Sequence, residues 1–294
     1  MGKALINGIN VHYQVKGEGP DVVLIHGITS TLALWYTHVM PVLTREFRVT
    51  MYDLRGHGYS DLTPTGYTSD AMGRDLLGLM DHLGIPTARL VGHSFGGSIA
   101  LHAALHEEGR AEGIVISDSG VASLRHLRNI EDWPGWDMWT EQLAEHGISR
   151  DKFSDDPDKI IRRSFLIPRQ FGMRKGEQRG TKRLQRLVDE TSVVKEFREV
   201  AGLTEEMLPR VTVPVLALYG AMSPYRKMAA RLCELLPHGY WEVLEGTGHF
   251  LLLQNPEQFV DSIAEFLRDP SGYVTERKKS QSDAGSQARS IQGA

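Results

Sequence analysis

The amino-acid sequence predicts an α/β fold in which a mostly parallel β-sheet carries helices on both faces and a helical insertion. Short, apolar runs, such as residues 22–25 and 113–116, are typical of strands that are covered on both faces. Stretches with apolar residues at helical spacing, such as residues 69–83, lie between these runs. Because strand and helix alternate along the chain, we expect the strands to run parallel, with helices packed on both sides of the sheet.

The first part of the chain begins as a hairpin and continues as alternating elements. Asn7-Gly8 is a strong turn signal between the strand-like residues 4–6 and 11–15. The elements predicted after this hairpin are, in order, a strand at 22–25, a helix around 35–44, a strand at 48–52, a helix at 69–83, a strand at 88–91, a helix at 97–106 and a strand at 113–116.

The alternation stops after residue 120 and resumes near residue 213. Residues 121–209 contain no good strand but several helix-like segments. We therefore expect a helical cap inserted between two parts of one α/β core, residues 1–120 and 210–268. Residues 269–294 have almost no apolar anchor, and we expect them to form a disordered tail. The elements predicted in the second part of the core are strands at 213–219 and 240–244 and helices at 225–236 and 256–267.

The composition is that of an ordinary soluble protein. Of the 294 residues, 41% are hydrophobic and 24% are charged, and the net charge is −4, so there is no overall attraction to nucleic acid or to a membrane surface. No run approaches the ~18 apolar residues of a membrane-spanning helix, and the N-terminus lacks the apolar segment of a signal peptide. Cys233 is the only cysteine, and we expect a cytoplasmic protein without disulfides. Since the sequence has no clustered His and Cys ligand set, we expect neither a metal nor an organic cofactor.

The most informative motif is Gly-His-Ser-Phe-Gly-Gly at residues 92–97. It follows an apolar strand and precedes a helix, and this context identifies Gly-x-Ser-x-Gly as a nucleophile elbow. Such a sharp turn strains the backbone of Ser94 and exposes its hydroxyl above the sheet. We therefore predict Ser94 as the nucleophile, with the backbone N–H of Phe95 as a donor to the developing oxyanion.

A second oxyanion donor and a general base are expected at the same edge of the sheet. Residues 26–29, His-Gly-Ile-Thr, follow the first buried strand, and we predict that the backbone N–H of Ile28 points at the same oxyanion. We expect His26 itself to brace this loop. His249 follows the last predicted strand in a short glycine-containing loop. Because the carboxyl ends of parallel strands meet at one edge, we predict His249 as the base for Ser94.

With these motifs the chain resembles the α/β-hydrolase superfamily over residues ~4–268. The resemblance implies a triad of nucleophile, acid and histidine in that chain order, an oxyanion hole made by two amides, and a cap where residues 121–209 lie. It also implies that Asp53 and Arg55 mainly brace loops at the strand ends. The shared signatures are His-Gly at 26–27, Asp-Leu-Arg-Gly-His-Gly-Tyr-Ser at 53–60, Gly-His-Ser-Phe-Gly-Gly at 92–97 and Gly-His-Phe at 248–250.

The acid of this triad departs from the family pattern. The family usually places it three residues after the glycine that ends the strand before the last, and here that position is Ser223. A serine cannot offset the charge of an imidazolium, so the usual triad is incomplete. Asp118 directly follows the buried strand after the elbow, and some family members carry their acid at this point. We therefore predict Asp118 as the orienting acid, with Glu245 as a remoter candidate.

A run of basic residues in the predicted cap bears on the substrate. Such a run is usually a solvated helix face. The functional interpretation is recruitment of an anionic substrate or partner, such as a coenzyme A thioester or an acidic acyl-carrier domain. A nucleic acid fits poorly, because no interleaved aromatic platform accompanies the run. Its members are Arg162, Arg163, Arg169, Arg174, Lys175, Arg179, Lys182, Arg183 and Arg186, with Glu177 as the only acid among them.

These features predict a serine hydrolase that cleaves a carboxylic ester or thioester through an acyl-enzyme on Ser94. Other reactions on the same scaffold stay open, namely hydrolysis of a C–C bond and acyl transfer or cyclisation to a substrate hydroxyl. A ligand-binding homologue without activity also stays open, because Ser223 occupies the usual acid position. Haloalkane dehalogenase and epoxide hydrolase activities are disfavoured, since both resemblances would require an aspartate in place of Ser94. The sequence leaves the acyl group, the leaving group and the oligomeric state open.

Overall fold

The computed structural model describes residues 1–127 and 178–292 of the chain, with side chains from 182 to 281 in the second range, together with the isolated positions 141 and 144. These residues form one eight-stranded sheet. Its strands are β1 Gly2–Ile6, β2 Ile9–Lys16, β3 Asp21–Ile25, β4 Arg48–Tyr52, β5 Ala88–His93, β6 Ala111–Ser117, β7 Val215–Gly220 and β8 Gly239–Leu244.

The sheet is parallel except at one side. Its strand order is β1-β2-β4-β3-β5-β6-β7-β8. Strand β2 pairs antiparallel with both β1 and β4, and all the other neighbours are parallel. Asn7 and Gly8, with φ of +48° and +81°, form the tight turn between β1 and β2. The predicted mostly parallel sheet is therefore confirmed.

Helices cover both faces of the sheet. In the described part of the chain they are α1 Met40–Leu43, α2 Ser69–His82, α3 Phe95–His106, α4 Gln178–Glu190, α5 Val193–Glu196, α6 Arg226–Leu235, α7 Leu251–Gln254, α8 Pro256–Arg268 and α9 Pro270–Gln292. Within β3, Val23 and Ile25 face a core cluster that includes residues of α2, α3 and α6, whereas Val22 and Leu24 face a second cluster with residues of α1 and α8. This burial on both faces explains why the strand is wholly apolar over these positions. Among the residues that the structure describes, no helix is both long and apolar enough to cross a membrane.

The helix predicted around residues 35–44 is divided into two short elements. A 3₁₀ turn covers Leu32–Trp35, and α1 begins separately at Met40. Pro41 lies in the first turn of α1. Proline fits at the start of a helix, but it lacks the N–H that would continue a helix from the preceding turn. The helix therefore restarts at Met40, with this proline in its first turn.

The end of the chain differs from the predicted disordered tail. Helix α9 occupies most of this segment, and its residues Tyr273 and Val274 are buried in the same cluster as α8. The Tyr273 hydroxyl also donates to Glu242 at 2.8 Å. Burial of an aromatic ring and a valine offsets part of the entropy lost on ordering the segment. Sequence reasoning missed this anchor because nearly all of its neighbours are polar, and the structure corrects the expectation for the described part of residues 269–294.

Only part of the predicted cap lies within the described residues. Helix α4 is tied to the loop after β4, because Arg183 donates to the backbone carbonyl oxygens of Gly56, at 3.2 Å, and of Ser60. Residues 128–177, apart from positions 141 and 144, lie outside the described residues. The division of the chain into a core and a cap at residues 121–209 therefore stays a prediction.

Candidate active site

Ser94 lies at a sharp turn between β5 and α3. Strand β5 ends at His93, helix α3 begins at Phe95, and Ser94 between them has φ +55° and ψ −122°. The turn is so tight that a Cβ on Gly92 would lie 2.3 Å from the carbonyl oxygen of Gly96, so only glycine fits there. The turn places Ser94 at the amino end of α3, where backbone N–H groups lack helical partners and the helix dipole favours negative charge.

Asp118 and His249 are in direct contact. Asp118 follows β6, is fully buried and has φ +52°. The Nδ1 of His249 lies 2.7 Å from Asp118 Oδ2, and the backbone N–H of Gly220 donates to Oδ1 at 3.2 Å. The carboxylate can only accept, so the network assigns the Nδ1 proton to His249 as the donor. The structure therefore joins the predicted base to the predicted acid, although 131 positions separate them in the sequence.

Ser223 is the third side chain at this carboxylate. Its hydroxyl donates to Asp118 Oδ2 at 2.7 Å and accepts the backbone N–H of Tyr225 at 3.0 Å. Sequence reasoning treated Ser223 only as the place of a missing acid and did not predict this bond. The available signal was that Asp118 and Ser223 follow two predicted strands, but the pairing of β6 with β7 had to be known before the two could be joined.

His93 connects the nucleophile elbow to the loop that carries His249. Its Nε2 donates to the backbone carbonyl oxygen of His249 at 2.9 Å, and the two imidazole rings have centroids 5.0 Å apart. On another side, the Tyr225 ring centroid lies 5.4 Å from that of His249. The loop of the predicted base is therefore fixed beside the residue that precedes Ser94.

The predicted oxyanion loop also lies against the elbow. A Cβ added to Gly27 would come within 2.8 Å of the Cβ of Ser94, so the loop can approach the nucleophile this closely only with glycine at position 27. Ile28 follows directly and is buried. Within the described part of the chain, neither the Ile28 nor the Phe95 backbone N–H donates to a hydrogen bond. The role of these two amides as oxyanion donors therefore stays a prediction, and no bond within the described residues competes with it.

Two buried histidines, whose rings are neutral, hold this loop in place. His26 donates from Nδ1 to the Gly27 carbonyl oxygen at 2.8 Å and accepts the Leu54 N–H at 3.0 Å. His57 accepts the Thr29 N–H through Nε2 at 3.0 Å. Burial lowers the pKa of His26, and burial together with the neighbouring His26 lowers the pKa of His57 to about 3. Each ring can therefore keep one nitrogen as an acceptor for the backbone.

The contacts of residues 53–60 connect and brace loops. The carboxylate of Asp53 accepts the backbone N–H groups of Leu32 and Tyr59, each at 2.9 Å. Arg55 forms an ion pair with Asp75 at 2.8 Å. These bonds connect the loop after β4 to its neighbours, as the resemblance implied.

The remaining candidates lie apart from this site. Glu245 is exposed. In the basic run, Lys182 is exposed, Arg183 bonds to the core as described, and Arg186 pairs with Glu190 at 2.9 Å; the other six side chains lie outside the described residues. Burial raises the pKa of Cys233 to about 12, so this thiol is not a nucleophile at neutral pH. Among the described residues, no three His, Cys, Asp or Glu side chains cluster as metal ligands.

Comparisons with known proteins identify the family. A sequence profile of the alpha/beta hydrolase fold matches residues 20–256. The 3-oxoadipate enol-lactonase 2 of Acinetobacter baylyi is 24% identical over 276 residues, 88% of this chain and 94% of that protein. The soluble epoxide hydrolase of Corynebacterium sp. (strain C12) is 36% identical over 116 residues, only 40% of each protein. The esterase EaEST of Exiguobacterium antarcticum has a TM-score of 0.67 at 21% identity, over 92% of this chain and 100% of that one. This chain belongs to the α/β-hydrolase family and is a hydrolase of that family.

Proposed function

We propose that the chain is a serine hydrolase that cleaves a carboxylic ester or thioester, with Ser94 as nucleophile, His249 as general base and Asp118 as orienting acid. The observation that carries this proposal is the 2.7 Å contact between His249 Nδ1 and the fully buried Asp118 carboxylate. A second observation supports it: Ser94 occupies a strained turn between a strand and a helix.

The contact with Asp118 gives His249 the two properties that a base for serine needs. It holds the ring proton on Nδ1, so that Nε2 is left as the proton acceptor. It also provides a negative charge, shielded from water, that stabilises the imidazolium formed during the reaction. A neutral hydroxyl such as that of Ser94 is a weak nucleophile at neutral pH without such a base.

The proposed reaction has two halves, acylation and deacylation of Ser94. His249 removes the proton from Ser94, whose oxygen attacks the acyl carbonyl, and the Phe95 and Ile28 amides stabilise the tetrahedral oxyanion. The protonated His249 then gives its proton to the leaving alcohol or thiol. Water hydrolyses the acyl-enzyme in a second round with His249 again as base.

The substrate class is proposed at two levels. The full-length similarity to a 3-oxoadipate enol-lactonase supports including lactones, which are cyclic esters, among the candidates. The basic run in the predicted cap supports an acyl group on an anionic carrier, such as coenzyme A. Of the three described cations in that run, Arg183 and Arg186 already have partners within the chain, so the recruiting charge belongs to Lys182 and the residues outside the described range.

A substrate panel tests the proposed function. Steady-state rates are measured for esters, lactones and coenzyme A thioesters of varied chain length, with Ser94→Ala as the control. We expect turnover of at least one class, which Ser94→Ala reduces to near the uncatalysed rate. Added salt lowers kcat/KM for the thioester and leaves that of a neutral ester unchanged, because salt screens only charge-driven association.

Two outcomes would contradict parts of this proposal. Equal rates in the wild type and in Ser94→Ala would remove Ser94 as the nucleophile. A thioester rate indifferent to salt would remove the anionic carrier while leaving the hydrolase intact.

A further inference from the structure

The Asp118 carboxylate receives three hydrogen bonds from two segments, the turn at the end of β7 and the loop that carries His249. Gly220 N–H donates to Oδ1 at 3.2 Å, while the Ser223 hydroxyl and the His249 ring both donate to Oδ2 at 2.7 Å. Asp118 has no solvent exposure and Ser223 is 5% exposed. With water excluded, these three donors fix the orientation of the carboxylate.

A hydroxyl suits the position of Ser223 because a carboxylate is already present beside it. The Oγ of Ser223 lies within 2.7 Å of an Asp118 oxygen. An aspartate in place of this serine would bring two carboxylates to nearly that separation, and like charges so close cannot both stay ionised. A serine instead supplies a proton to the oxygen that His249 also uses.

We propose that Ser223 is a positioning residue, whose hydroxyl holds the Asp118 carboxylate towards His249 and limits how strongly that carboxylate stabilises the imidazolium. The inference rests on the proposed function, since it assigns a role within the same triad. Two donors on one oxygen share its negative charge. Removing the hydroxyl therefore leaves more of that charge for His249 and allows the carboxylate more freedom to rotate.

A purely structural role for Ser223 makes a different prediction. Its Oγ accepts the Tyr225 N–H, and the loop is also held by the Met222 N–H, which donates to the Thr247 carbonyl oxygen at 2.9 Å. If Ser223 only closed this turn, its loss would lower stability and would not move the pH at which His249 titrates.

The experiment compares Ser223→Ala and Ser223→Thr with the matched control Ser117→Ala. Ser117 is also buried, adjoins Asp118 in sequence, and its hydroxyl has no hydrogen-bond partner among the described residues. For each protein, kcat and KM are measured against pH with the best ester of the panel. The titration of the His249 ring is followed by NMR through the chemical shift of its Cε1 proton, and His249→Asn serves to assign the signal.

We expect Ser223→Ala to lower kcat roughly tenfold with little change in KM, as for the loss of one hydrogen bond to a charged group. The acid limb of kcat/KM and the His249 NMR midpoint should both move to higher pH, by roughly 0.5–1 unit. Ser223→Thr keeps the hydroxyl and should restore both, and Ser117→Ala should resemble the wild type.

Two results would overturn the inference. One is a Ser223→Ala enzyme with unchanged kcat and unchanged His249 titration. The other is a His249 midpoint that moves equally in Ser117→Ala. Failure of the proposed function would look different, because no ester would then be turned over through Ser94. In that event the NMR midpoint in Ser223→Ala still decides whether the hydroxyl acts on the Asp118–His249 pair.

Discussion

Three of the five non-glycine residues with positive φ in the described part of the chain lie at the candidate active site. They are Thr29, Ser94 and Asp118, with φ of +67°, +55° and +52°. Such conformations cost on the order of 1–3 kcal/mol each and persist where surrounding contacts determine them. At Ser94 and Asp118 the strained backbone turns the side chain at the end of a parallel strand, where it can meet groups from other loops.

The identity of the acid is the first prediction at the scale of single residues. Asp118→Asn should lower kcat by roughly 10²–10⁴, by analogy with other triads. The amide carries no charge to stabilise the imidazolium, and its NH₂ group can favour the wrong tautomer of His249. Steady-state kinetics on the best ester measures the loss. Little effect in Asp118→Asn, together with a larger loss in Ser223→Ala, would show that the acid is assigned wrongly.

A second prediction moves the carboxylate from position 118 to position 223. Ser223→Asp in the Asp118→Asn background should restore part of the activity, because both side chains reach one point beside His249. In the wild-type background Ser223→Asp should lower activity, since two carboxylates then compete for one proton. If the double variant is folded by circular dichroism but recovers no activity, the two positions are not geometrically equivalent.

At the scale of elements, the predicted oxyanion loop depends on a histidine that stays neutral. The pKa of His57 is about 3, against 6.5 for an ordinary histidine. Between these values the unfolded chain binds a proton that the folded chain does not, so stability is present above pH 6.5 and is lost as the pH falls towards 3. The Thr29 N–H then loses its acceptor.

A His57→Gln variant tests this dependence. Its side-chain oxygen can still accept the Thr29 N–H, but it cannot take up a proton. Between pH 6 and 4 the free energy of unfolding should therefore fall less steeply with falling pH than it does in the wild type. The difference in slope should correspond to about one fewer proton taken up on unfolding. Denaturant melts at several pH values measure the slope, with the exposed His238→Gln as control. An unchanged slope in His57→Gln would contradict a neutral His57.

Elements with strong local signals agree between sequence and structure. The apolar runs predicted the strands because strands covered on both faces are mostly apolar. Asn7-Gly8 predicted its turn because both positions need positive φ. The helix predicted at 35–44 failed at Pro41, where the chain restarts a helix. The ordered start of α9 was missed because Tyr273 and Val274 find their partners only once α8 and β8 are in place.

The same limit applies to the candidate site. Ser94 stands in a local motif, and His249 follows the last strand of a predicted parallel sheet, so both could be proposed before the strand register was known. The Ser223–Asp118 bond joins residues 105 positions apart, and its existence depends on the register of β6 against β7, where Ser117 lies opposite Leu218. Register is set by packing over the whole sheet and has no local signature.

At the scale of the whole molecule, the sheet brings together parts of the chain that flank the predicted cap. Strand β6 ends before it and β7 begins after it, and these two strands are neighbours in the sheet. Asp118 comes from the first part, whereas Ser223 and His249 come from the second. The contact between Asp118, Ser223 and His249 therefore forms only when both parts have folded into one sheet.

The most direct test of the proposed triad is labelling with a fluorophosphonate, followed by mass spectrometry of the intact protein and of its peptides. These probes phosphonylate a serine only when a base activates it. We predict one adduct on the peptide that contains Ser94, none in Ser94→Ala, and much slower labelling in His249→Asn and Asp118→Asn. A folded wild-type protein that stays unlabelled, or one labelled equally fast without His249, would contradict the account.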